Sequence, residues 1–363
     1  MPAAVSIHDI LRKYWGHDQF RPLQEDIIRA ALDKKDCLAL LPTGSGKSVC
    51  FQVPTMAMEG VCLVISPLIA LMKDQVNQLQ KKGISALAIH TGMSFKEVAR
   101  TMELAINNHI KFLYVSPERI QTNLFKEYLH SLPVCLIAVD EAHCVSQWGY
   151  DFRPHYLQIA SLREYLPKVP ILALTASATP FVQQDIISQL QLKDAVLLKG
   201  SFSRDNLSYS CFEVPNKLQK VLEIFTKVEG TGIVYCRSRK RTVDLCRQLQ
   251  QHGLTATFYH AGLSQEERNE RQADWTANKV RIMVSTNAFG MGIDKPDVRT
   301  VIHYDVPDCL ENYYQEAGRA GRDRRKAYAV LLFQQHDLTE LEAQLSRKFP
   351  SLETIRKVYQ SMV

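Results

Sequence analysis

The sequence contains no apolar run of the length that crosses a membrane. A membrane helix needs about 18 consecutive apolar residues, and every apolar run here is shorter. The N-terminal segment MPAAVSIHDILRKYWG also lacks the charged-then-apolar order of a secretion signal. From these two absences we expect an intracellular protein that does not enter the membrane.

Paired cysteines at metal-ligand spacing are absent as well. The nine cysteines are scattered, with no CxxC pair and no four-cysteine cluster. Several lie inside apolar runs, such as Cys62 in VCLVIS and Cys135 in VCLIAV, which is typical of reduced core residues. We therefore expect neither disulfides nor a zinc ion bound by this chain.

The length and composition are those of a globular chain with more than one core. With 363 residues, of which 46% are hydrophobic, the chain suits two domains. The formal net charge of +6 permits a polyanionic partner but does not establish one, because many ordinary proteins are as basic.

Short apolar runs alternate with helical patterns, which predicts parallel sheets with crossover helices and an α/β fold class. The first series of predicted strands is Cys37–Leu41, Val61–Ser66, Ala86–His90, Lys111–Val115, Val134–Asp140 and Val169–Leu174. The second is Gly232–Cys236, Ala256–Tyr259, Val280–Ser285, Val301–Tyr304 and Tyr328–Phe333. The polar segment Lys199–Pro215 between them carries turn formers and predicts a domain boundary. After Phe333 the spacing is helical, with a break at Phe349–Pro350.

The segment LPTGSGKS, residues 41–48, follows a predicted strand and precedes a helical pattern, which is the context of a phosphate-binding loop. Glycines allow backbone amides to face phosphates, a lysine reaches the β/γ-phosphates and a serine hydroxyl ligates Mg²⁺. Leu41 stands where the strict pattern has glycine, and a purely structural turn is the alternative. The residues expected to contact nucleotide are Thr43, Gly44, Ser45, Gly46, Lys47 and Ser48.

An acidic pair, Asp140 and Glu141, follows the predicted strand that ends at Val139. Open α/β sheets bind ligands at this carboxyl edge. Asp140 suits Mg²⁺ held through its hydration shell, and Glu141 suits the orientation or deprotonation of an attacking water. A solvated helix N-terminus would also place acidic residues here.

Two arginines that could neutralise transferred phosphate charge lie in YYQEAGRAGRD, residues 313–323. Arg319 and Arg322 would be one turn apart if this region is helical, and the neighbouring glycines permit close approach to phosphate. A solvated basic turn is the alternative.

In this order the motifs resemble those of RecQ-type ATP-dependent DNA helicases of helicase superfamily two. The resemblance covers residues 11–333 and rests on LRKYWGHDQFRPLQEDII, LPTGSGKS, VISPLIALMKDQV, YVSPERI, VDEAHCVSQWGYDFRP, ALTASATP, IVYCRSR, YHAGL, VSTNAFGMGIDKPDVR and YYQEAGRAGRDR. It implies two tandem RecA-like domains, residues 1–206 and 207–338, with the nucleotide in the cleft between them. Residues 339–363 would be the start of a truncated zinc-binding region.

The resemblance also implies roles for residues outside the phosphate loop. Arg21 would stack on adenine and Gln24 would bond its edge, with His17 where the family usually has an aromatic residue. Asp294 would contact the ribose, Gln315 would lie beside the γ-phosphate, and Thr286 would touch DNA phosphate.

The DNA side of the resemblance centres on the loop SQWGYDFRP. Trp148, Phe152 and Arg153 would sense DNA, because single strands bind through phosphate contacts and stacked bases. For a tryptophan considered without the resemblance, core packing would be the better interpretation. His143 could link the acidic pair to Gln315 and the ALTASAT segment, or it could be an ordinary buried histidine.

The activity that the resemblance implies is DNA-stimulated ATP hydrolysis that drives 3′–5′ translocation and duplex unwinding in repair and recombination. ATP and Mg²⁺ would be the cofactors and single-stranded and forked DNA the partners of a monomer. It would act in the nucleoid of a bacterium or in the nucleus of a eukaryote. A nucleotide-gated DNA-binding module with little unwinding is the alternative. An RNA helicase leaves SQWGYDFRP unexplained, and a metabolic kinase fits only the phosphate loop.

Overall fold

The computed structural model describes residues 6–107, 110–149, 151–290 and 295–362. These residues fall into two compact units, divided between Arg204 and Asp205. Each unit is built on its own parallel sheet.

The first unit contains seven parallel strands. They are β1 Cys37–Leu40, β2 Val61–Ile65, β3 Ala86–Ile89, β4 Phe112–Val115, β5 Val134–Val139, β6 Ile171–Thr175 and β7 Val196–Lys199. Their order across the sheet is β3-β4-β2-β5-β6-β1-β7. Because all strands are parallel, the residues that follow β1, β5 and β6 meet at one edge of the sheet.

Helices cover both faces of this sheet. They are α1 Ile7–Trp15, α2 Gln24–Leu32, α3 Lys47–Ala57, α4 Ile69–Lys81, α5 Phe95–Asn107, α6 Asn123–Leu129, α7 Leu162–Tyr165 and α8 Pro180–Gln189. Short 3₁₀ segments occupy Pro117–Arg119, Ala142–Val145 and Pro154–Ser161. Alternate strand residues face opposite sides, so Leu38 and Leu40 enter one core while Cys37 and Ala39 enter the other.

The second unit contains six parallel strands in the order β10-β11-β9-β12-β13-β8. They are β8 Leu207–Glu213, β9 Thr231–Tyr235, β10 Ala256–Tyr259, β11 Ile282–Ser285, β12 Val298–His303 and β13 Ala327–Phe333. The helices are α9 Lys217–Lys227, α10 Arg239–Gln251, α11 Gln265–Thr276, α12 Leu310–Ala317, α13 Gln335–Lys348 and α14 Leu352–Met362.

The prediction of two α/β units on parallel sheets is confirmed, and each predicted strand overlaps an observed one. Two strands were missed, β7 and β8, and the second of them lies inside the segment predicted to be a polar connection. β8 pairs with β13 over residues 207–213. The helices predicted around the break at Phe349–Pro350 are present as α13 and α14. Across the described residues, no helix is both long enough and apolar enough to span a bilayer.

Candidate functional site

The phosphate-loop sequence joins β1 to α3 through two glycines in left-handed backbone conformations. Gly44 has φ +77° and Gly46 has φ +82°, which residues with a Cβ rarely adopt. Among the residues that the structure describes, no side chain caps the N-terminus of α3. Its first backbone amides and the positive end of its dipole are therefore suited to bind an anion.

Arg21 and Gln24 hold the carbonyl oxygens of this loop. The Gln24 side-chain amide donates to the carbonyls of Ser45 at 3.0 Å and Gly46 at 3.1 Å, and its oxygen accepts from the Arg21 backbone amide at 2.9 Å. The Arg21 guanidinium donates to the carbonyl of Gly44. Both residues, predicted to contact adenine, thus also fix the shape of the phosphate loop.

Two buried hydroxyls in the loop fit a bound nucleotide. Within the described ranges, the side-chain oxygens of Thr43 and Ser45 are buried and have no hydrogen-bond partner. A buried hydroxyl without a partner is costly, and phosphate oxygens would satisfy both. Ser48 lies in the first turn of α3, where its hydroxyl suits a magnesium ligand. His17 is exposed at the end of the α1 region.

The acidic pair lies at the carboxyl end of β5, as predicted. The Asp140 amide donates to the carbonyl of Ile65 at 2.9 Å, and the Glu141 amide donates to the Asp140 carboxylate at 3.0 Å. Burial and the neighbouring Glu141 raise the pKa of Asp140 to about 7, while the Lys47 ammonium opposes this shift. A divalent cation here would favour the ionised carboxylate. Glu141 has a left-handed φ of +48°, a strained backbone common in active sites.

His143 connects the acidic pair to the end of β6. Its fully buried imidazole has Nδ1 at 2.9 Å from the Thr175 hydroxyl and at 3.4 Å from a Glu141 carboxylate oxygen. Burial lowers the pKa of His143, so the ring is held neutral. The Thr175 hydroxyl also donates to the carbonyl of Ser177 at 3.3 Å. His143 therefore contacts the ALTASAT segment, and its predicted link to Gln315 stays a prediction.

Thr179 in the same segment acts as a helix cap. Its hydroxyl accepts from the Val182 amide at 3.3 Å, at the N-terminus of α8. The buried Ser177 hydroxyl, in the part of the chain that the structure describes, has no hydrogen-bond partner.

The aromatic loop displays Trp148 at the surface, with 70% of its area exposed, so core packing does not explain this residue. Phe152 is half-buried. Arg153 is an anchor of the loop, because its guanidinium donates to the carbonyl of Pro67 at 3.1 Å and pairs with Asp151 at 3.1 Å. Its predicted contact with DNA would compete with these bonds.

Phe181, at the start of α8, is an aromatic that the sequence analysis did not single out. Its ring lies edge-to-face with Trp148, with centroids 5.5 Å apart and an interplanar angle of 79°, and 58% of its area is exposed. Nothing in the local sequence signals this contact, because 33 positions of chain separate the two residues.

In the second unit, Arg319 and Arg322 lie in turns that follow α12, so the helical spacing considered for them is wrong. Gly318 ends the helix, and Gly321 has a left-handed φ of +61°. Arg319 is only 4% exposed, and its guanidinium donates to the carbonyl of Gly290.

Two other predicted residues of this unit, Gln315 and Thr286, are buried. Gln315 lies on α12 beside Glu316, which bonds the imidazole of His303 at 2.9 Å. The Thr286 hydroxyl accepts from the Ala288 amide at 3.3 Å. Asp294, predicted to contact ribose, lies outside the described residues.

Comparison with known families matches both units. Residues 21–186 match the DEAD/DEAH box helicase family, and residues 215–324 match the helicase conserved C-terminal domain. Each match begins and ends inside one of the two units.

Two curated relatives cover nearly all of this chain. The ATP-dependent DNA helicase RecQ of Haemophilus influenzae is 42% identical over 96% of this chain and 56% of its own length. The probable ATP-dependent DNA helicase RecS of Bacillus subtilis is 40% identical over 94% of this chain and 69% of its own length. The chain thus spans a little over half of the first relative.

A solved structure of the helicase MrfA bound to DNA and AMPPNP matches with a TM-score of 0.80. The match covers 94% of this chain and 52% of that chain, at 18% identity. At this identity the likeness concerns the fold alone. With the two family matches, it shows that the units have the RecA-like helicase fold.

Proposed function

Because the chain belongs to the RecQ family of helicases, we propose that it couples ATP hydrolysis to 3′–5′ movement on single-stranded DNA and to duplex unwinding. The observation that carries this proposal is the segment 140–153. It holds the acidic pair at one end and the exposed Trp148 near the other, and between them His143 contacts Thr175. One segment thus reaches both the site for hydrolysis and a surface for DNA.

Residues of the first unit have separate roles in the binding and hydrolysis of ATP. Lys47 neutralises charge on the β- and γ-phosphates, and the amides after Gly44 hold their oxygens. Ser48, and Asp140 through water, would hold Mg²⁺, which balances the charge of the phosphates when bound. Glu141 orients the attacking water and accepts its proton.

The second unit supplies the positive charge that phosphoryl transfer requires. We assign this role to Arg319 and Arg322, since a guanidinium near the transferred group stabilises its negative charge. Gln315 would lie beside the γ-phosphate, and Asp294 would contact the ribose. The Arg319 guanidinium donates a hydrogen bond to a backbone carbonyl. To reach phosphate, it would have to share or break this bond.

DNA is the proposed polymer partner, in single-stranded or forked form. Bases stack on exposed aromatics, and each stack contributes about 1–3 kcal/mol. Trp148 fits this role by its exposure. We propose that the protein acts as a monomer where chromosomal DNA lies, in the nucleoid of a bacterium or the nucleus of a eukaryote.

The test is steady-state ATP hydrolysis with and without single-stranded DNA. We expect DNA to raise the rate, and Lys47→Ala to abolish hydrolysis while the fold persists. A rate indifferent to DNA would contradict the proposal, and stronger stimulation by RNA would favour an RNA helicase. A strand-displacement assay then separates unwinding from DNA-stimulated hydrolysis alone.

A further inference from the structure

Two large aromatic rings are exposed side by side on the first unit. Trp148 is 70% exposed and Phe181 is 58% exposed, although their ring centroids are only 5.5 Å apart. Edge-to-face contact satisfies the electrostatics of the two rings, yet leaves ring faces open. Paired exposed aromatics are unfavourable in water unless a partner covers them.

The position of Phe181 follows from how α8 begins. Thr179 caps the helix and Pro180 occupies its first turn, which suits the fixed φ of proline. Val182 and Gln183, which follow Phe181, point into the protein and are buried. Phe181 is left on the outer side of the first turn, facing the aromatic loop.

We propose that Phe181 and Trp148 form one aromatic surface that receives the bases of single-stranded DNA. This inference rests on the proposed function and adds a residue to its DNA contact. Phe181 has two roles in it. Its ring fixes the orientation of Trp148 before DNA arrives, which lowers the ordering cost of binding, and its open face stacks on a base.

The size of the patch favours a base over a protein. Gln147, which precedes Trp148, and Gln184, three positions after Phe181, are both exposed. A stable protein interface needs about 800 Å² on each partner, whereas two rings can each stack one base. Base stacking requires a flat apolar face, and each of the two exposed rings can supply one.

The contact also joins the two segments that meet at His143 and Thr175. Trp148 follows His143 in the chain, and Phe181 follows Thr175 by six positions. Bases stacked one on each ring would therefore restrain both segments at once. This gives the surface a direct connection to the residues around Glu141.

The test compares binding of oligothymidine and of an abasic oligonucleotide of the same length, about 20 nucleotides, by fluorescence anisotropy. Both carry the phosphate charge, and only the first can stack. We expect Phe181→Ala and Phe181→Leu to reduce the preference for oligothymidine by about 5-fold or more. Phe181→Tyr keeps the ring and should retain the preference. Thermal melting checks that each variant is folded.

Phe95 provides a matched control, since it is 70% exposed on the same unit and begins α5. Phe95→Ala should leave the preference unchanged. If Trp148→Ala reduces the preference but Phe181→Ala does not, the role of Phe181 is wrong while the proposed function stands. If the wild-type protein neither prefers bases nor hydrolyses ATP faster with DNA, both are overturned.

Discussion

The imidazole Nδ1 of His143 lies 2.9 Å from the hydroxyl oxygen of Thr175, in a place where the imidazole has no exposed surface. This hydrogen bond joins the segment of the acidic pair to the carboxyl end of β6. Because Thr175 also bonds the carbonyl of Ser177, it fixes the start of the connection to α8. Displacement of either segment would therefore change the position of the other.

Thr175→Val should weaken this connection without changing the size of the side chain. The variant leaves a buried imidazole nitrogen with one partner fewer, which costs about 1–3 kcal/mol. We expect lower stability in urea and a smaller stimulation of ATP hydrolysis by DNA. Thr175→Ser keeps the hydroxyl and should restore both. If Thr175→Val kept the stability and the DNA stimulation of the wild type, the hydrogen bond between His143 and Thr175 would contribute to neither.

Gln24→Glu should loosen the phosphate loop. The substitution puts an oxygen where the amide nitrogen now donates to the carbonyls of Ser45 and Gly46, so attraction becomes repulsion. We expect the KM for ATP to rise by about 5- to 100-fold, the range given by a buried unpaired group. Gln80→Glu is the control, because the side-chain amide of Gln80 likewise donates to a backbone carbonyl, that of Ala86 at 2.9 Å. Equal effects of the two substitutions would contradict the assignment.

Most strands predicted from sequence lie inside a sheet and are buried on both faces, although the half-buried edge strands β3 and β10 were predicted as well. β1 and β2 are buried at every position, so each reads as a continuous apolar run. β8 is an edge strand in which only Leu207 is buried, and its polar sequence resembles a loop. β7 is short and alternates half-buried with exposed residues. The sequence of β8 lacks the apolar run of a central strand, whereas β7 carries a short apolar run that the sequence analysis did not assign to a strand.

The candidate site was predictable where one stretch of chain builds it. The phosphate loop and the acidic pair each follow a strand directly, so their motifs place them at the sheet edge. Contacts between distant segments left no such signal. Arg153 bonds the carbonyl of Pro67, 86 positions away, and Phe181 meets Trp148 only after α8 packs against the segment Ala142–Val145.

Gly149→Ala should displace the aromatic loop. A Cβ at this position would lie 2.7 Å from the carbonyl oxygen of His143 and 3.1 Å from that of Ser146. Such a distance to backbone is too short, so the loop must move and carry Trp148 with it. We expect the DNA concentration for half-maximal stimulation to rise by about 5-fold or more, as in Trp148→Ala. An Ala variant with wild-type DNA affinity would show that the loop tolerates the shift.

Asp36→Ala should destabilise the first unit from the sheet edge opposite to the phosphate loop. The Asp36 carboxylate accepts from the amides of Ile171 at 2.8 Å and Lys193 at 2.6 Å, and it pairs with the buried guanidinium of Arg163. Removing it leaves a buried charge and two amides without their acceptor, so we expect a loss of about 3–5 kcal/mol in the free energy of unfolding.

Urea denaturation measures this loss, and Asp33→Ala is its control. Asp33 forms an exposed ion pair with Lys35 at 3.8 Å, whose removal should change stability by less than about 1 kcal/mol. Because Asp36 precedes β1 whereas the phosphate loop follows it, the folded Asp36 variant should keep the KM for ATP of the wild type. A raised KM with unchanged stability would mean that Asp36 acts on the nucleotide site, and the structural role assigned to it would be wrong.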